Sequence, residues 1–386
     1  MPSQSSDSLH RVRLTQGDLF CDCADFELRQ EPCKHIHAAR LTQERQKKVK
    51  APKIDTDALP QKKTYAQNWK AYNLAQTTER HRFQVLLADL CAGVPEPEYP
   101  GVGRRPVALP DRIFASIYKV YAGLSSRRFG CDLIDAHTNG HLSRPLHPNK
   151  VNCFMADADM TEPLKQLVGL SAMPLSEIET NFAVDSSGFS VSKFIRWTDE
   201  KYGSERSGRD WVKVHICTGV KTNIVTAIEI KDRDAADGPL LPELVTSTAL
   251  NFKLNDVVAD KGYLSKSNVD LIDRLGGTAF IAPKCNTTGK SGGLFEAMVN
   301  FYRYKKPEFL ERYHRRSNVE STFSAVKRKF GDSVRSKTPD AMVNECLCKF
   351  IAYNLTVVIM SQIELGIEAE FWKDDRRDVL KMRGRA

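Results

Sequence analysis

Between residues 178 and 331 the spacing of apolar positions changes several times, and each change marks an element. Phe182-Ala183-Val184 is a short apolar run ending in Asp185, with Ser186-Ser187-Gly188 after it as a turn. Val257-Val258-Ala259 ends the same way in Asp260, followed by Lys261-Gly262-Tyr263 as its turn. Between the two, Trp211 to Cys217 and Ile224 to Ile230 alternate apolar and polar residues as strands do, and Thr218 to Asn223 joins them as a hairpin. Gly238-Pro239 precedes a helix over Leu240 to Leu250. A second helix covers Ser267 to Leu275, Gly276-Gly277 stops it, and Thr278 to Ala282 is a further strand. The period then becomes helical again. Pro307 opens a helix with Glu308 and Glu311 in its first turn, Lys327 to Lys329 in its last and Gly331 beyond its end. Val319, Phe323, Val326 and Phe330 form its apolar stripe. Its weak point is Ser317-Asn318, a pair suited to capping a new helix and breaking the register.

The order that results is β-β-β-α-β-α-β-α. An antiparallel meander followed by strand–helix crossovers predicts an α/β fold, a mixed sheet with helices on its faces. Each aspartate stands at the carboxyl end of a buried strand, where open sheets place ligand-binding groups. On the last helix Tyr313, Arg316, Glu320 and Lys327 spell Y-x2-R-x3-E-x6-K. At about 100° per residue these four fall within roughly 60° of one another, with Glu320 on the shoulder of the buried face. Three acids at such places, one amid dense positive charge, are what metal-dependent phosphoryl transfer on nucleic acid needs. Asp234 and Asp237, after the third strand, read as loop acids and are not counted as ligands.

This arrangement resembles the ribonuclease-H-like catalytic core of DDE transposases encoded by bacterial and archaeal insertion sequences. It is most similar to the groups numbered four and five, in which the Y-x2-R-x3-E-x6-K signature surrounds the catalytic glutamate. The resemblance covers roughly residues 178–360, and Asp260-Lys261-Gly262-Tyr263 fits it too. Only 59 residues lie between Asp260 and Glu320, unlike members of the group with a large β-rich insertion there. The resemblance implies that Asp185, Asp260 and Glu320 are catalytic and hold two Mg²⁺ or Mn²⁺ ions, with Asp185 bridging and the other two each completing one site. It implies that water first frees a 3′-OH at the element's end, which then attacks a target phosphodiester. Arg316 would clamp a phosphate and Lys327 act as a point charge. Tyr313 would hydrogen-bond a phosphate or simply pack.

A second site is written near the amino end. Cys21-Asp22-Cys23 and Cys33-Lys34-His35 give C-x-C-x9-C-x-H, four thiolate and imidazole donors suited to one tetrahedral Zn²⁺. With a helical stretch from His35 to Leu41, the pattern resembles the SWIM zinc-binding motif, which goes with both DNA and protein partners. His37 competes with His35, and the spacing favours His35. Disulfides are the other use of such cysteines. The absence of an apolar signal segment after Met1 and the scatter of the remaining seven cysteines point to a reducing compartment and bound metal.

Composition adds the partner. Net charge is +9 and the pI about 9.0, a balance that suits a polyanion. Residues 303–337 carry eleven lysines and arginines against four acids. Nothing in the sequence runs to about 20 consecutive apolar residues, so no membrane span is expected. Asn286 to Gly293 reads as a loop beside the active site, without phosphate-loop spacing. The expected organisation is a zinc module (1–42), a linker (43–64), a helical region that contacts DNA ends or merely packs (65–175), a ribonuclease-H-like domain (176–362) and a charged tail (363–386). In the helical region, helices are expected over Tyr65 to Leu90, Asp111 to Leu124, Pro148 to Met155 and Thr161 to Leu170, with basic turns at Arg104-Arg105 and Arg127-Arg128. Cys346 to Met360 is expected to close the core as an apolar helix. The functional expectation is a cytoplasmic, nucleoid-associated transposase acting on double-stranded DNA as a homodimer. A domesticated DNA-binding relative and a nuclease without strand transfer are the alternatives.

Overall fold

The structure, a computed structural model, describes residues 9–15, 18–48, 68–99, 101–103, 105–191, 211–288 and 292–372. Most of the expected linker, the first residues of the Tyr65 helix, Arg104, the middle of the Asn286 loop and the tail beyond Trp372 lie outside the described residues. The chain divides into two compact units, Met1–Ala66 and Gln67–Ala386.

The first unit is built on alternation. In β1 (Val12–Thr15) and β2 (Asp18–Cys21) every second residue is turned inward, and the two strands pair antiparallel with Val12 opposite Cys21. Two helices follow, α1 (Ala24–Arg29) and α2 (Lys34–Lys48), the latter longer than the stretch expected from His35. Cys21, Cys23, Phe26, Cys33 and Ile36 form this unit's own small core, with Val12, Leu14 and Leu19 against it. So few apolar residues cannot hold a fold of this size without a staple.

The second unit opens with helices α3 (Trp69–Ala92), α4 (Leu109–Ala122), α5 (Ser126–Thr138), α6 (Pro148–Met155) and α7 (Thr161–Ala172). The basic pair Arg127-Arg128, expected in a turn, opens α5 instead. Phe129, Leu133 and Ala136 give that helix a buried face at helical spacing. Strands β3 (Phe182–Ser190), β4 (Trp211–Gly219) and β5 (Val225–Asp232) form the meander. Next come α8 (Leu241–Ala249), β6 (Asp256–Ala259), α9 (Lys266–Arg274) and β7 (Thr278–Ile281). The chain ends in α10 (Gly293–Tyr304), α11 (Lys306–Tyr313), α12 (Ser317–Phe330) and α13 (Pro339–Leu365).

The five strands lie in the order β5-β4-β3-β6-β7, antiparallel on the meander side and parallel on the other, so the mixed α/β sheet is as expected. Two details differ from the sequence reading. Ser186-Ser187-Gly188 is not a turn, because β4 offers β3 a partner along its whole length, from Phe182 opposite Gly219 to Ser190 opposite Trp211. Gly188 keeps its place in that strand by making room for the Trp211 ring, which would crowd a Cβ at 3.1 Å. Nor is the helix opened by Pro307 continuous. It is interrupted at His314–Arg316 by a tighter 3₁₀ turn, and α12 restarts at Ser317, the weak point of the pattern.

Helix α13 is longer than its apolar centre and buried almost all round. By length and hydropathy it alone among the described helices could cross a membrane, but 72% of its most apolar window is buried inside the fold. It packs on α3, α4 and α7 and on the meander strands, so helices and sheet share one hydrophobic core. Asn354, wholly buried on α13, accepts from the Val225 N–H and donates to the Val225 and Val168 carbonyls at 2.7 and 3.1 Å, which ties β5 to α7.

Candidate catalytic and metal sites

Sheet register brings the two aspartates together. The parallel pairing of β3 with β6 ends at Val184 opposite Ala259, so Asp185 and Asp260 leave that pairing side by side. From there β6 stops, and Asp260 opens a short 3₁₀ turn, while β3 continues with β4 alone. Asp185 is therefore inside its strand rather than at its end.

Helix α12 packs on β3 and β4 with Val319, Phe323 and Val326 buried. The turn before it is anchored by an acid that the sequence pattern did not reveal. Asp256, 2% exposed at the start of β6, accepts from Arg312 at 3.2 Å and Arg315 at 3.1 Å. Those two arginines, counted above as charge for nucleic acid, hold α11 and its turn against the sheet. Arg316 is thereby aimed at the acids. One end of its guanidinium donates to Asp185 at 2.6 Å and the other to Glu320 at 2.8 Å. Glu320 itself is 60% exposed, further from the core than the helical wheel placed it.

The electrostatics fit a cation site. Burial pushes the Asp185 carboxyl above its ordinary range, and the charges of Asp260 and Glu320 push it further, against the pull of the Ser186 N–H and Arg316. Burial alone would lower the Arg316 guanidinium, and the surrounding Asp185, Tyr313, Glu320 and Asp260 reverse that and raise it. Carboxylate oxygens gathered in this way are the donor type that Mg²⁺ or Mn²⁺ takes. Beside them is an open cavity of about 540 Å³ lined by Asp185, Ser187, Glu320 and Lys327 among others. Lys327 donates to Ser187 at 2.7 Å and lies over the Phe189 ring, and burial lowers its ammonium. Tyr313 packs instead: its half-buried ring stacks on Phe309, and burial raises its hydroxyl.

Asp237, set aside from the sequence as a loop acid, sits against the segments that follow both aspartates. It accepts from Lys213 at 2.7 Å and from the Ser186 hydroxyl at 3.3 Å. Its carboxylate comes within 3.0 Å of where a Cβ on Gly262 would be, so the close approach needs that glycine. The wholly buried His215 joins it, 3.7 Å from Asp237 and 3.0 Å from the Tyr263 hydroxyl. Burial pushes this histidine down to about 4, against the pull of Asp237. The alternation of β4 was the one signal in the sequence, since it turns His215 and Lys213 to the same face. Asp234 stays on the surface in a pair with Arg233.

In the first unit Cys21 closes β2, Cys23 precedes α1, Cys33 precedes α2, and His35 lies in the first turn of α2. All four are buried, with ligand atoms within 4.8 Å of one another, and His37 is exposed. His35 Nδ1 is 3.8 Å from Cys21 Sγ and 3.9 Å from Cys33 Sγ. Tetrahedral zinc bonded at about 2.3 Å to sulfur requires similar separations. Burial pushes the Cys21 thiol up to about 12.

Residues 178–355 match the family model of the transposase DDE domain. Residues 10–41 match that of the SWIM zinc finger. The chain is similar to a probable transposase for the insertion sequence element ISA1214 from Archaeoglobus fulgidus. The two are 24% identical over 163 residues, 42% of this chain and 49% of that protein. The chain thus spans about half the length of that relative. On the fold, the site and these matches together, the chain carries a ribonuclease-H-like transposase DDE domain behind a SWIM zinc finger.

Proposed function

We propose that the protein is a transposase that cleaves DNA at the ends of a mobile element and transfers the freed strands to a target duplex. The observation that carries this reading is the grouping of three acids: Asp185 and Asp260 leave the parallel pairing side by side, and Arg316 joins Asp185 to Glu320. In this reading Asp185, Asp260 and Glu320 would together hold the divalent ions. When bound, two such ions activate the attacking oxygen and stabilise the leaving one in an in-line displacement.

The chain's own residues do the rest. Arg316 exchanges its carboxylate partners for oxygens of the scissile phosphate, for which its fork is shaped. Lys327 holds a neighbouring phosphate from the rim of the cavity. Asp237 fixes Ser186 and the turn after Asp260, so the two aspartates keep their spacing before any ion arrives. The helical region, residues 65–175, is assigned to the element's ends, and the working form is a homodimer that pairs two ends on nucleoid DNA in the cytoplasm. The zinc module is held by Cys21, Cys23, Cys33 and His35.

The test is incubation of the purified protein with Mg²⁺ or Mn²⁺ and a plasmid carrying the gene's own flanking DNA. Metal-dependent cuts at the element's boundaries, followed by joining to a second duplex, are expected. Cuts without joining would reduce the reading to a nuclease. Binding without cutting would reduce it to a DNA-binding protein on a transposase fold.

A further inference from the structure

A second cavity, of about 600 Å³, lies at the last turn of α12. Its walls come from the end of α4, the start of α5, the last turn of α12 and the segment leading into α13. Five cationic side chains line it (Lys119, Lys329, Arg335, Lys337 and Lys349) against one acid, Glu345.

What those groups bind explains why the charge is not cancelled. Lys119 donates to the Leu124 carbonyl, Arg335 to the Gly123 carbonyl at 2.9 Å, and the buried Lys349 to the Ser333 and Gly331 carbonyls at 2.6 and 3.3 Å. Neutral oxygens hold Lys119 and Arg335 in place and leave their charge standing. Glu345 is already engaged by the Arg335 and Ser336 N–H groups and the Ser336 hydroxyl, besides its pairing with Lys349. Lys329 is matched outside the cavity by Glu79. Burial lowers the Lys119 ammonium, and Arg335 lowers it further, as expected of a site with a surplus of positive charge.

We propose that this cavity is a phosphate-binding site for the DNA backbone, gripping the strand a few nucleotides from the bond that is cut. The inference rests on the transposase reading. Lys327 and Arg328 line the catalytic cavity and Lys329 lines this one, so the last turn of α12 borders both. Nine residues separate Glu320 from Lys329, about 13 Å along a helix at 1.5 Å per residue. That is roughly four base steps at 3.4 Å each. A strand laid along α12 with its reacting phosphate at the acids therefore reaches the second cavity with a later phosphate. The grip is blind to base sequence, because it meets phosphates alone.

The test is fluorescence anisotropy of a 30-base-pair duplex carrying the element's end, over a salt series. Wild type is compared with a Lys119→Gln, Lys337→Gln double variant and with Lys337→Glu, whose exposed site leaves folding untouched. Each lost phosphate contact lowers the slope of log affinity against log salt by about 0.9, so the double variant should lose about 1.8 and bind about tenfold more weakly. The loss should be the same for a scrambled duplex. Lys337→Glu should lower affinity in the same direction without changing the melting temperature. Wild-type affinity and slope in both variants would overturn the proposal and leave the transposase reading intact. Failure of the wild type to bind any duplex would remove both.

Discussion

The two candidate metal sites are assembled in opposite ways. The four zinc-ligand candidates span fifteen residues and lie on a hairpin and two helix starts that share a core of five buried residues. The three acids come from two strands and a helix, and the Arg316–Asp185 contact alone links positions 131 apart. In the first site a bound ion would supply the folding free energy that so small a core lacks. In the second the sheet register and the Asp256 anchor place the carboxylates in advance, and stability comes from a core that extends through α13 to the helices. Preorganisation of this kind is what catalysis by displacement requires.

The sharpest way to break this contrast is to remove one donor from each site. Glu320→Gln should abolish cleavage, by at least about a thousandfold, with melting temperature and end binding kept, because the scaffold does not depend on the ion. If end binding is lost as well, Glu320 has a structural role and the assignment fails. Cys33→Ser should do the reverse. Zinc content measured by atomic absorption should fall to zero, and the first unit should lose its transition in calorimetry, since about 10 kcal/mol or more of metal binding is coupled to folding in such modules. The transition of the larger unit should stay in place. A common shift of both would show that the units fold as one.

The same contrast sets how much could be read from the sequence. The zinc donors were legible because ligand chemistry and local spacing carry the whole signal. The order of elements along the chain, the two aspartates and the Glu320 motif were legible too, because runs such as Val257-Val258-Ala259 and the helical stripe from Val319 to Phe330 are local patterns. What was not legible depends on long-range pairing. Nothing local says that β4 extends β3 through Ser186-Ser187-Gly188, since those residue types favour turns and only a partner strand overrides them. Arg312 and Arg315 looked like surface charge because their acid, Asp256, is more than fifty positions away. Asp237 was passed over for the same reason: its partners Ser186, Lys213 and Gly262 come from three other elements.

That buried network gives a test of preorganisation without touching an acid of the site. His215 is neutral in the folded protein down to about 4, whereas in the unfolded chain it takes a proton near 6.5. Between those two values the unfolded state binds more protons, so stability rises with pH across the window and is lost as pH falls. The full loss is on the order of 3 kcal/mol, reached only near pH 4. His215→Gln should flatten the dependence of melting temperature on pH between 4 and 6.5, and should slow cleavage at neutral pH by loosening Tyr263 and Asp237. An equally steep dependence in the variant would place its origin in other groups.

The smallest effect tests how the acids are held. Arg316 reaches Asp185 with one end of its guanidinium and Glu320 with the other. A lysine keeps the charge but is a single point, so it can meet one carboxylate or one phosphate oxygen at a time. Arg316→Lys should therefore leave folding and duplex affinity close to wild type and slow single-turnover cleavage by about tenfold, the equivalent of one good hydrogen bond in the transition state. The direction of the metal response separates two roles. If Arg316 mainly shields the acids until an ion arrives, the variant should need less Mg²⁺ for half-maximal cleavage. If it mainly clamps the phosphate, the Mg²⁺ requirement should stay the same while the rate falls. A variant with wild-type rate and metal requirement would show that neither end of the fork matters, and that sheet register alone sets the spacing of the acids.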